Sequence, residues 1–218
     1  MKFRRKSDAA EAPDPTPEPE AAAEVEADEA GSPTRTGGPF DVSEVDLEGS
    51  TRVDLGSLLI TPTEGREVRV QVDEVTKAVQ AVMVAGPDGA LELRAFAAPR
   101  NGDLWSEVRP QISADIEGRG GTVAEREGRF GTELVCERPV QQPDGKTARQ
   151  ASRVLGVNGP RWFLRATLMG AASAPEASAS WEDMLALVVV RRGDHAMPVA
   201  DPLPIVLPTD ARKLPPGS

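Results

Sequence analysis

Cysteine and histidine occur once each among the 218 residues, as Cys136 and His195. A lone cysteine cannot form an internal disulfide, and one of each cannot supply the His/Cys sets that hold zinc, so neither a metal nor a cofactor is expected. Long apolar runs are missing too. The longest candidate, Met184 to Val190, falls far short of the roughly 18 residues that cross a bilayer. The opening Met1-Lys2-Phe3-Arg4-Arg5-Lys6 carries the charge of a signal-peptide front, but acidic, proline-rich sequence follows where an apolar stretch belongs. Secretion is therefore not expected, and a cytoplasmic location is. Four basic residues without an apolar anchor would hold an anionic lipid surface at only about 1 kcal/mol each, so no stable membrane association is expected.

Positive charge is scarce as well. The net charge of -10 is concentrated at the start: residues 1–50 hold 13 acidic and 5 basic side chains, against 22 and 20 in the remainder. A near-neutral folded part thus follows an acidic tail. Neither offers the basic footprint that displaces counterions from phosphates, which argues against nucleic acid as a partner.

From Asp8 to Pro39 the chain alternates Glu, Ala and Pro with almost no large apolar side chains, too few to offset the entropy of ordering. Residues 1–48 are expected to be a disordered acidic tail, 49–208 one folded domain, and 209–218 a second disordered tail. Packing should begin near Arg52, with Val53, Leu55, Leu58, Leu59 and Ile60.

Strand character follows at Val68 to Val75, Val79 to Ala85 and Leu91 to Ala97, where apolar residues alternate or cluster between short breaks such as Pro87-Asp88-Gly89. Asp103 then offers an N-cap for an amphipathic helix through Leu104, Val108, Ile112 and Ile116, interrupted by Pro110 and stopped by Gly118, Gly120 and Gly121. Those glycines close a helix instead of opening one, so they are not a phosphate-binding loop. Four more strands are expected at Thr122 to Glu127, Phe130 to Arg138, Arg149 to Val157 and Arg161 to Met169. Their separators are Gly128, Pro143-Asp144-Gly145 and an Asn158-Gly159 hairpin turn. A second helix should start at an N-cap Ser180 and run from Trp181 toward Val188, with Gly193 as its C-cap; Val188 to Val190 are ambiguous with strand. The proline-rich stretch from Met197 to Pro208 is extended and no central strand. Short links preclude parallel crossovers. The fold class is α+β: an antiparallel β-sheet of about six to seven strands with two main helices packed on it.

Three segments resemble an actinobacterial family known as a domain of unknown function: Leu104-Trp105-Ser106-Glu107-Val108-Arg109, Gly159-Pro160-Arg161-Trp162-Phe163-Leu164-Arg165, and Arg191-Arg192-Gly193-Asp194-His195-Ala196-Met197-Pro198. The resemblance covers approximately Phe40 to Pro208, and family members tend to be encoded near a dUTPase. The element order is similar to the PsbP/Mog1-like fold, whose relatives are mainly binding modules. Neither likeness implies catalytic residues.

Two places in the chain suggest a binding site. Period two puts Arg149, Ala151 and Arg153 on one face of a strand, and Arg161, Phe163 and Arg165 on one face of the next. If register joins those faces, four arginines surround Phe163, a surface for phosphate, carboxylate or a stacked base. The plainer alternative pairs these arginines with Glu133 and Glu137 on a neighbouring strand. Trp105, Trp162 and Trp181 are expected in the core, with Trp181 as the one that a groove beside the Ala/Ser loop would expose to a partner. Asp194 and His195 are sequence neighbours with no nucleophile marked by context, and Cys136 reads as a small buried hydrophobe. Asp73-Glu74 and Glu182-Asp183 sit near element ends, where solvated charge is usual. The expectation is a noncatalytic binding or adaptor domain with a protein partner. The alternative is a binder of anions or nucleotides, or an enzyme on such a ligand, built on the arginine face.

Overall fold

The computed structural model describes residues 37–207 apart from 50, 74, 76, 77, 143 and 144. Residues 1–36 of the tail expected over 1–48, the whole tail expected over 209–218, the basic cluster at Lys2 to Lys6, Glu74 and the Pro143-Asp144 corner lie outside the described residues.

Seven strands form one antiparallel sheet: β4 (Glu67–Val72), β5 (Val79–Gly86), β6 (Gly89–Ala97), β7 (Thr122–Gly128), β8 (Gly131–Gln141), β9 (Thr147–Gly159) and β10 (Trp162–Met169). Their spatial order is β4-β5-β6-β10-β9-β8-β7. Two meanders explain it. β4 to β6 run as successive hairpins, as do β7 to β10, and the last strand of the second meander returns beside the last strand of the first. Helix α1 (Leu104–Gly118) is the connection between them. Its cap is as the sequence predicts, with Asp103 accepting from the Ser106 amide at 3.1 Å. Pro110 sits inside the helix without ending it. At the far end the Gly121 amide reaches back to the Ile116 carbonyl at 2.9 Å, which satisfies a carbonyl the helix leaves open.

Alternation assigns the two faces. On one, Leu104, Trp105 and Ile116 of α1 pack with Leu134, Cys136, Val154 and Phe163. On the other, Trp162, Leu164, Ala166 and Leu168 join the leucines of β6 beneath helix α2 (Ala179–Ala186). That second face is also covered by a small mixed sheet absent from the sequence expectation. It contains β1 (Phe40–Asp41), β11 (Val189–Val190), β3 (Leu58–Ile60) and β2 (Val53–Asp54), in that order. β1 pairs in parallel with β11, and Asp41 accepts from the Trp162 indole at 2.8 Å. Among the described residues the first strand is thus Phe40–Asp41, which lies within the stretch 1–48 read from sequence as tail.

Other local expectations are corrected. The β9–β10 turn is Pro160-Arg161, with Arg161 at φ 61°, and Asn158-Gly159 belong to the strand. Gly159 is needed for space: a Cβ there would lie 2.0 Å from the Trp162 ring. Helix α2 starts at Ala179 and ends at Ala186. Val189 and Val190 are strand, so Gly193, at φ 72°, shapes a later turn and does not cap a helix. β5 pairs with β6 only as far as Leu93, and the proline-rich segment takes the edge left free. The Ala97 amide donates to the Asp201 carbonyl at 2.8 Å, and the Leu203 amide to the Ala95 carbonyl at 2.9 Å.

Candidate functional site

Helix α1 packs mainly over the part of its sheet face carried by β7, β8 and β9, and its Trp105 reaches across to Phe163 at the start of β10. Beside it the strands β6 and β10 stay open, and a groove of about 600 Å³ lies between helix and sheet. On β6, Leu91, Leu93, Ala95 and Ala97 are buried toward α2, which turns Glu92, Arg94 and Phe96 into the groove. Register aligns β10 with them: Phe163 lies opposite Phe96, Arg165 opposite Arg94 and Thr167 opposite Glu92.

These side chains form a cationic floor on an aromatic base. The guanidinium carbons of Arg94 and Arg165 stand 5.8 and 5.9 Å from the Phe96 ring centre. Phe96 in turn stacks on Phe163 at 6.0 Å, and Phe163 on Trp105 at 6.0 Å. Glu92 Oε1 stands 3.4 Å from Arg165 Nη2, and it is the carboxylate on this floor. The Nε atoms of Arg94 and Arg165 are buried without a hydrogen-bond partner. Burial, and after it the Arg94 charge, push the Arg165 guanidinium below its ordinary range, with Glu92 opposing.

The arginine cluster expected from the sequence does not assemble. Arg153 lies opposite Leu168, so its side chain faces α2, away from Phe163 and Arg165. It is buried there, with Nη2 2.6 Å from Glu133 and 2.8 Å from Glu182. Against the cost of burial, hydrogen bonds to Glu133 and then Glu182 hold its guanidinium above the ordinary range. Arg149 is exposed and stands 3.6 Å from Glu137. Arg161 is exposed in the turn, where its carbonyl accepts from the Ala98 amide at 2.9 Å. Of the five residues, only Phe163 and Arg165 line the groove. Trp181 offers no exposed surface. It is fully buried, covered by the Arg66 guanidinium at 3.7 Å, and its indole donates to Asp88 at 3.1 Å. Glu182 and Asp183 engage Arg153 and Arg129.

Sequence reasoning missed Glu92, Arg94 and Phe96. The signal was the polar half of the alternation in Leu91 to Ala97, of which only the apolar half was used. Other reactive groups stand apart from the groove. Cys136 is buried, and desolvation pushes its thiol up to about 11; His195 is exposed in a turn. Among the described residues no group of three or more His, Cys, Asp or Glu could hold a metal ion, and no helix is long and apolar enough to cross a membrane.

No curated protein matches the chain. Among solved structures it is similar to a protein from Bacteroides thetaiotaomicron VPI-5482, at 10% identity and TM-score 0.39, over 65% of this chain and 47% of that one. The chain thus spans under half of that protein's length. It is also similar to the cyanobacterial PsbP (CyanoP) of Synechocystis sp. PCC 6803, at 12% identity and TM-score 0.37, over 64% of this chain and 91% of that one. A family model describing a protein of unknown function (DUF3710) matches residues 38–214, which take in every strand and both helices of the fold, and the chain belongs to that family.

Proposed function

We propose that this chain is a noncatalytic binding domain that takes an anionic ligand in the groove between α1 and the β6–β10 floor. The observation that carries the reading is the pair Arg94 and Arg165: they are neighbours across the β6–β10 ladder, Glu92 contacts the Arg165 guanidinium, and each arginine keeps a buried Nε without a partner. A buried donor left unpaired costs about 1–3 kcal/mol, and such groups are rare in folded proteins. Acceptor oxygens placed between the two forks would satisfy both donors and offset the repulsion between the cations. The noncatalytic part of the proposal rests on what lines the floor, which is guanidinium, carboxylate and phenyl groups, with Cys136 and His195 elsewhere.

Thermal melts of the full chain with acetate, decanoate, citrate and inorganic phosphate test this. A ligand at a hundred times its Kd adds about 2.7 kcal/mol of stability. The expected result is a rise in Tm that shrinks with added sodium chloride and disappears in the Arg94→Gln, Arg165→Gln double variant. Melts that do not move with any of the anions would overturn it.

A further inference from the structure

We propose that the ligand of this groove is a monocarboxylate with an apolar body, its carboxylate held between Arg94 and Arg165 above Phe96 and its body laid along α1. This deepens the anion-binding reading and rests on it.

Charge counting selects the head group. At the floor two guanidinium charges face the single carboxylate of Glu92, which leaves a surplus of one. Arg138 also lines the groove, but β8 stands two strands from β10. Asp115 lines it too and is already paired with Arg119 at 2.9 Å. Neither changes the count beside Arg94 and Arg165. One further negative charge neutralises that pair, whereas a phosphate dianion would leave the floor negative. The planar fork of a guanidinium also matches the two coplanar oxygens of a carboxylate.

The walls select the body. Val108 and Ile112 of α1 border the groove and are half-buried, and Phe96 and Met169 of the sheet are also partly exposed to it. A small hydrophilic anion would leave this apolar surface wet, while a chain or ring attached to the carboxylate would cover it. The volume, about 600 Å³, falls inside the roughly 300–1,000 Å³ range of small-molecule sites.

The test titrates the full chain calorimetrically with decanoate, acetate, decanol and inorganic phosphate, each below its aggregation threshold. Decanoate is expected to bind at least tenfold more tightly than acetate and than decanol, and to lose at least tenfold in Arg94→Gln with Arg165→Gln. A second measurement needs no variant: decanoate labelled with ¹³C at the carboxyl should titrate at lower pH when bound to the wild-type chain, because the guanidinium groups favour its ionised form. Equal binding of decanoate and decanol, or decanoate binding untouched by the double variant, would overturn the proposal. Phosphate bound in preference to decanoate would overturn it and leave the anion-binding reading standing. Four flat titrations would remove both.

Discussion

Glu133 on β8 and Arg153 on β9 meet at 2.6 Å with side chains only 1% and 3% exposed, under the helix that supplies Glu182 as a second partner. That contact is to Glu133 Oε2, and Arg126 adds two bonds to the other oxygen, Oε1, at 2.9 and 2.5 Å. Removing one member of a buried pair leaves its partner charged and unpaired, which costs about 3–5 kcal/mol. Glu133→Ala should therefore destabilise the fold by about that much in urea unfolding. Glu133→Leu combined with Arg153→Leu should cost less than either single change, because both charges leave the interior together.

Gly156 lies opposite Arg165 in the ladder and beneath Trp105, where a Cβ would sit 2.1 Å from the indole. That contact is with the rigid part of a ring whose Nε1 is tied to the Thr132 carbonyl at 2.7 Å. Gly156→Ala should thus cost about 1–3 kcal/mol by overpacking. It should also shift the tryptophan fluorescence, and an unchanged melt would show that α1 rides easily on the sheet.

Asp103 caps α1, and it accepts from Asn158 Nδ2 at 2.7 Å as well as from Ser106. Burial raises its pKa, but the Ser106 and Asn158 hydrogen bonds and the Arg109 charge together lower it below the ordinary 3.8. A depressed carboxyl stabilises fully above its unfolded pKa and loses that contribution as pH falls through the folded value. Asp103→Ala should cost about 1 kcal/mol near neutrality. The gap between the two urea midpoints should hold above pH 5 and close as pH falls below 3.8.

Cys136 should resist thiol reagents in the native chain. Its rise from 9.0 to about 11 cuts the thiolate fraction about a hundredfold at pH 8, and burial adds to the protection. Labelling with a chromogenic disulfide should be slow in buffer and rapid in denaturant. Equal rates would mean that the α1 face opens freely.

Alternation made the large sheet legible, because half-buried antiparallel strands such as Leu91 to Ala97 show their burial in the residue order. It could not show how strands meet. A two-residue turn pairs odd positions of one strand with even positions of the next, so Arg153 and Arg165 point to opposite faces whichever such turn is used. The Asn158-Gly159 pair misled for a different reason: Gly159 makes room for the Trp162 ring, and Asn158 anchors the start of α1 by accepting from the Trp105 amide at 3.2 Å. β1 and β11, two residues each, are too short for any periodicity to register. The groove was hidden because Arg94 and Arg165 become neighbours only through a strand pairing that spans 71 positions of chain.

The small sheet joins Phe40–Asp41 to Val189–Val190, near opposite ends of the described chain. During synthesis the first meander can zip as soon as it emerges, yet β1 and β3 must wait for a partner that is translated about 130 residues after β3, several seconds later at roughly 5–20 residues per second. Until then Leu58, Ile60 and the underside of β6 stay uncovered, which makes that interval the period when the nascent chain most needs chaperone protection.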